Sequence, residues 1–366
     1  MKRALLLIVS IFPCFAQQPM ENLGEAINTR YDELAPVISP DGKTLYFIRG
    51  NRDDNRTSTS YRIMMSQRSA QGWERAIDMP APFNLRSGVN MMHGMTADGR
   101  SILISGSETS SGFDGAGFSL ITRSTNEGGW GRPVKLPIRS YDALLSSAGA
   151  SSTADVLAVS TKRVPTAFLA ADGVTLLLSI FSEEEARFEL YVSHLSNSEW
   201  TAPRNLGSTV NSEFNDITPF FAADGRTLYF ASDRNGNYDI FMTKRLDDTW
   251  RRWSPPVNLG APINTDGWEG YFSTDRGGEY AYVVSYKNSM GKGDIVRVKL
   301  DPRFRPGSET IVTTVDASIV VSRPTPTRFN DDLKSAYDAI MSRVQKINNT
   351  VDDINTRSKD IKVKGE

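Results

Sequence analysis

The sequence predicts an all-β protein, a β-propeller of four-stranded antiparallel blades followed by a C-terminal α-helix. Three observations carry that expectation. A strand–turn–strand phrase recurs along the chain, its copies sit at a period of roughly fifty residues, and most copies lead to a tryptophan and a short tail. The phrase is clearest at 216–234. There an apolar run through Phe220 and Phe221 meets the turn Ala223-Asp224-Gly225-Arg226, and the β-branched and aromatic run Thr227-Leu228-Tyr229-Phe230 follows. Residues 37–47 are a near copy, with looser ones at Asp98-Gly99, Asp172-Gly173 and Asp275. Units of this kind stack on their neighbours, and closing them into a ring hides the strand edges.

Taken in order, residues 1–16 read as a secretory signal peptide. Met1-Lys2-Arg3 is basic, 4–12 is apolar, and Cys14 and Ala16 are the small residues before a cut after Ala16. A lipoprotein acylated at Cys14 is the alternative, although Pro13 fits such a site poorly. The mature chain is expected to be periplasmic or secreted. The propeller is assigned to 17–302. Trp73, Trp130, Trp200 and Trp250 open its outer strands and lead to the tails Met79-Pro80, Leu136-Pro137, Asn205-Leu206-Gly207 and Asn258-Leu259-Gly260. The fifth unit lacks a tail, and Asn22-Leu23-Gly24 is a tail without a unit. The N-terminal segment should therefore complete the last blade, giving five. Six is the alternative, because the longest interval between turn aspartates, Asp98 to Asp172, contains at 151–160 what reads as a degraded copy of the hairpin.

Residues 303–328 are a β-rich segment and a stiff Pro-rich linker. Residues 329–366 form a helix and a polar tail. Leu333, Tyr337, Ile340, Val344, Ile347, Val351 and Ile354 alternate steps of four and three, a heptad seam that predicts a homo-oligomer, docking on a partner, or packing on the chain's own propeller.

Composition narrows the function. The 366 residues carry 42 basic and 43 acidic side chains, so no basic excess supports nucleic-acid binding. Cys14 is the only cysteine, which leaves no internal disulfide, and no later apolar run is long enough to span a bilayer. There is no Gly-x-Ser-x-Gly, His-Glu-x-x-His or P-loop, and His93 and His194 lie far apart. No catalytic residue, metal ligand or cofactor is assigned. The turn aspartates Asp41, Asp98, Asp172, Asp224 and Asp275 read as turn formers, and the oxygen-rich loop 233–239 as a hairpin using Asn235-Gly236.

The Ser-Pro-Asp-Gly-Lys-Thr-Leu-Tyr-Phe stretch at 39–47, and Ala-Asp-Gly-Arg-Thr-Leu-Tyr-Phe-Ala-Ser-Asp-Arg with Tyr-Asp-Ile-Phe at 223–241, resemble the TolB-like β-propeller repeat. The resemblance covers roughly 20–300. It implies a propeller working as a binding platform in the bacterial periplasm or cell envelope, and the expected partner is an envelope protein or peptide.

Candidate ligand-binding residues sit where each innermost strand begins, at one mouth of the ring. They are Tyr31, Glu33, Tyr141, Asp142, Asp216, Trp268 and Glu269, pairing aromatics with acids. Such a mouth suits a cationic peptide, a cation or a sugar, and a carbohydrate-binding or carbohydrate-active propeller is the alternative function. The competing reading is that the acids cap strand ends and the aromatics pack between blades.

Overall fold

The computed structural model describes residues 19–51, 60–84, 90–109, 112–125, 128–147 and 165–308. The expected helix and linker, the signal peptide, and the hairpin-like 151–160 lie outside the described residues. In chain order β1 (Glu21–Asn22) comes first. Blade one holds β2 (Glu33–Ile38), β3 (Thr44–Asn51), β4 (Ser60–Ser69), the short β5 (Gly72–Trp73) and β6 (Ile77–Asp78). Blade two holds β7 (Met92–Met95), β8 (Ser101–Thr109), β9 (Gly112–Thr122) and β10 (Val134–Lys135), and the helix α1 (Tyr141–Ser147) follows. Blade three holds β11 (Thr166–Leu169), β12 (Thr175–Ser182), β13 (Arg187–Ser196), β14 (Glu199–Trp200) and β15 (Arg204–Asn205). Blade four holds β16 (Asp216–Phe221), β17 (Thr227–Ser232), β18 (Asp239–Lys244) and β19 (Val257–Asn258), and blade five β20 (Glu269–Thr274), β21 (Tyr280–Ser285) and β22 (Asp294–Lys299).

The described residues form five antiparallel sheets, and the fifth runs β1-β22-β21-β20. The first described strand is thus the outermost strand of the last blade, with Glu21 opposite Arg297 and Asn22 opposite Val296. The orphan Asn-Leu-Gly tail marks this closure, and the structure has five blades.

The repeat owes its shape to its turns. In the first hairpin of each blade an aspartate accepts from the backbone ahead of it. Asp41 Oδ1 takes the Lys43 N–H at 3.0 Å, Asp98 the Arg100 N–H at 2.9 Å, and Asp224 those of Arg226 and Thr227, both at 2.9 Å. The glycines after them hold positive φ, 72° at Gly42 and 68° at Gly225, where a side chain would be strained. These hydrogen bonds favour the charged carboxylate and hold Asp41 and Asp98 below the usual range; at Asp224 they outweigh an opposing effect of burial. The turn aspartates are structural, as the sequence suggests.

The apolar core is divided among the seams between blades. Tyr229 and Phe272 stack at 4.3 Å across the seam of blades four and five. Ile27, Leu34 and Phe47 meet Tyr282, Val284 and Ile295 where blade five meets blade one. Beyond β22 a short 3₁₀ turn, Pro302–Phe304, brings the Gly307 N–H to Asp224 at 2.7 Å, so the packed chain extends to residue 308.

The closing strand has only two ladder pairs, and side chains reinforce it. Asn28 Nδ2 donates to the Ile295 carbonyl at 2.9 Å and to Asn22 Oδ1 at 2.8 Å, while its Oδ1 accepts the Ile295 N–H at 2.9 Å. Asn28→Ala leaves the buried Ile295 N–H without a partner and its carbonyl with only the Leu23 N–H at 3.4 Å, and should lower the unfolding free energy by about 1–3 kcal/mol. Chemical denaturation measures this, and a loss under about 0.5 kcal/mol would contradict the role given to Asn28.

Candidate ligand-binding mouth

The entry to three innermost strands is built from one twelve-residue pattern. It reads Asn-Leu-Gly, three residues, Asn, Ser or Thr, three residues, then Asp or Glu, and it occurs at 22–33, 205–216 and 258–269. The first asparagine accepts the glycine N–H, at 2.9 Å in Gly24, 2.7 Å in Gly207 and 2.8 Å in Gly260. The second pairs with both backbone groups of the neighbouring third strand, Asn211 with Leu190 and Asn264 with Ile240, as Asn28 does with Ile295. The closing acid then accepts from the Ser or Thr four residues earlier. Thr29 N–H and hydroxyl reach Glu33 at 2.9 and 2.6 Å, those of Ser212 reach Asp216 at 2.6 and 3.0 Å, and those of Thr265 reach Glu269 at 2.9 and 2.5 Å.

Glu33, Asp216 and Glu269 are therefore each the first residue of an inner strand, and each is fully buried. Arg49 pairs with Glu33 at 2.8 Å and Arg234 with Asp216 at 2.6 Å, while Glu269 takes the Ser285 hydroxyl at 2.9 Å. Their oxygens are occupied by the joint between blades. Burial pushes the Glu33 and Glu269 carboxyls up, against the pull of their hydrogen bonds.

Tyr141 and Asp142 were expected at the entry to an inner strand, and the structure corrects this. They begin α1, which follows blade two, and the inner strand of blade three starts only at Thr166. Tyr141 is buried with its ring 5.7 Å from Phe118, while Asp142 is exposed. The alternation of aromatic and acid that suggested equivalence here belongs to a helix start.

Aromatics make up the accessible part of the mouth. Half-buried Trp268 lies against the backbone of Gly270, where an added Cβ would come within 2.3 Å of the indole. Around it are Tyr238 at 5.9 Å, Tyr271 at 6.0 Å and Tyr286 at 5.5 Å between ring centres. Tyr286 is exposed and donates to Asp32 Oδ1 at 2.6 Å. Tyr31, on the same approach, carries the Arg30 guanidinium 5.1 Å from its ring centre. Burial pushes the Tyr271 and Tyr286 phenols up, and the nearby Asp32 carboxylate adds to the effect. Tyr238 has a counterpart in Tyr61, each two residues before an isoleucine held by an asparagine, but Tyr271 and Tyr286 do not recur as tyrosines at matching places, so the repeat gives no signal for those two.

Tyr271 also stands on the wall of the axial cavity. This space is about 40 Å³, room for roughly three waters. Ala35, Thr218 and Tyr271 occupy equivalent bulges in β2, β16 and β20 at φ of 51°, 48° and 51°, a left-handed conformation that is costly for Thr and Tyr. The bulge turns these residues towards the axis. His93 lines the same wall, accepting the Ala167 N–H at 3.4 Å on Nδ1 and sharing a 2.6 Å hydrogen bond with Ser105 through Nε2. Burial lowers its pKa to about 4, so the ring is neutral at physiological pH. Among the described residues no group of three His, Cys, Asp or Glu is placed to hold a metal ion.

The ring and its turns define a five-bladed β-propeller. Neither protein-family models nor curated proteins give a match. Solved structures similar to it include a putative TolB from Agrobacterium tumefaciens, 16% identical with a TM-score of 0.41 over 73% of this chain and 76% of that one. TolB from Acinetobacter baumannii is 12% identical with a TM-score of 0.37, over 75% of this chain and 56% of that one. An endo-arabinase from Bacteroides thetaiotaomicron is 12% identical with a TM-score of 0.43, over 78% and 98%. What those proteins bind or cleave stays with them.

The buried acids give the joint a pH signature. A carboxyl raised above its ordinary 4.5, as in Glu269, contributes stability that is complete below that value and is lost as pH rises through the folded-state pKa. Glu269→Gln removes this loss. The stability difference between variant and wild type should therefore move in the variant's favour between pH 4 and pH 7, read from denaturant midpoints. A drift in the opposite direction would contradict the assignment.

Proposed function

We propose that this protein is a non-enzymatic binding platform of the cell envelope, working in the periplasm or outside the cell, with the aromatic mouth as its working face. The observation that supports this most is the state of the mouth's acids. Glu33, Asp216 and Glu269 hold the blades together, so these three carboxylates are engaged in the joints and do not form a free pair for the acid and base work of glycoside cleavage. Trp268 and Tyr286, by contrast, keep surface for a ligand.

Export rests on the basic, apolar and small-residue start of the sequence, and no helix among the described residues is long and apolar enough to cross a membrane. The heptad pattern of 333–354 adds a means of self-association or docking to the proposal.

The test has two arms. Purified protein incubated with envelope polysaccharides and plant arabinan should release no new reducing ends. Immobilised protein should retain an envelope component, and retention should fall about tenfold in Trp268→Ala. Measurable turnover, or retention unchanged by the substitution, would contradict the proposal.

A further inference from the structure

The platform reading leaves the ligand class open, and any ligand class assigned to the mouth rests on that reading. The electrostatics of the mouth argue against a cationic partner. Two of its buried acids already face arginines inside the joint. At the surface Lys287 pairs with Asp266 at 2.8 Å, and Lys292 lies 3.9 Å from Asp32. Asp32 Oδ1 further accepts from the Tyr286 hydroxyl and from the Gly293 N–H at 3.2 Å. A cationic peptide would find a lysine already beside Asp32 and beside Asp266.

The same residues suit a ligand of another kind. Tyr271 on the cavity wall, Trp268 beside it, and Tyr238 and Tyr286 outside form a continuous aromatic track from the axis towards the rim. Its polar tips are phenol hydroxyls, which both donate and accept, and the Asp32–Lys292 pair, which offers one acceptor and one donor group. Apolar ring faces bordered by balanced donors and acceptors match a sugar, whose C–H face stacks on aromatics while its hydroxyls hydrogen-bond at the edge. The cavity is too small to enclose a sugar ring, so the ligand lies across the mouth. We infer that the mouth between blades four, five and one binds a neutral saccharide chain, with Trp268 and Tyr286 as its stacking residues.

Isothermal titration of the full mature chain tests this with three neutral hexasaccharides, of N-acetylglucosamine, glucose and arabinose, and with hexalysine. At least one saccharide should bind and hexalysine should not. Trp268→Ala and, separately, Tyr286→Ala should each weaken saccharide binding about tenfold. Tyr286 is exposed, so its variant keeps the test decisive if Trp268→Ala fails to fold. No binding of any saccharide at millimolar concentration, binding that neither substitution weakens, or binding of hexalysine in their place would overturn the inference. The outcomes separate it from the reading beneath it. If envelope retention still depends on Trp268 but no saccharide binds, only the ligand class falls. If a bound saccharide is cleaved, the ligand class stands and the non-enzymatic platform falls.

Discussion

The ring depends on one contact between distant parts of the chain. Asn28 and Ile295 are 267 positions apart and exchange hydrogen bonds through both backbone groups of Ile295. Closing so long a loop carries a large entropic cost, and the closing strand contributes two residues of ladder. The interaction energy therefore has to be concentrated. Asn22 supplies part of it by donating to Asp294 at 2.7 Å, Arg297 reaches Glu21 at 2.6 Å, and Ile27 fills the apolar seam beneath. The same asparagine joint links blades three to four and four to five within the continuous chain. Closure reuses a local device at the one place where the chain is not continuous.

That device decides what the mouth has left to offer. The acid ending each joint is the first residue of an inner strand, so the joint and the mouth draw on the same carboxylates. A buried carboxylate is tolerated because every such joint supplies hydroxyl and backbone donors, and two of them add an arginine. Ligand binding then falls to side chains outside the joint. Trp268 lies within the twelve-residue pattern but outside its hydrogen bonds, and Tyr271 is turned to the axis by a bulge.

Much of the fold is legible in the sequence because its signals are local and repeated. Asp-Gly turns, β-branched runs and the tryptophan tails recur, and Asn22-Leu23-Gly24 without a unit discloses the closure. The tryptophans have a physical reason to recur, since Arg68, Arg123 and Arg245 lie over Trp73, Trp130 and Trp250. The second asparagine of the joint is as regular but carries no readable meaning until the neighbouring strand is in place. At the mouth the sequence locates Glu33, Asp216 and Glu269 without telling a buried acid from an exposed one. Tyr141 is misplaced by the repeat because blade three departs from it, and Tyr286 escapes it because its contact with Asp32 joins positions 254 apart.

The central claim is that β1 closes the last blade, and a cross-link measures this directly. Glu21 and Arg297 are register partners in adjacent antiparallel strands, where Cα atoms lie about 4.5–5.5 Å apart, within disulfide range. In a chain of residues 17–366 carrying Glu21→Cys and Arg297→Cys, mass spectrometry of the oxidised protein should find the two cysteines bonded within one molecule, with the thermal midpoint raised relative to the reduced form. Free thiols after oxidation, or bonding only between molecules, would contradict the account.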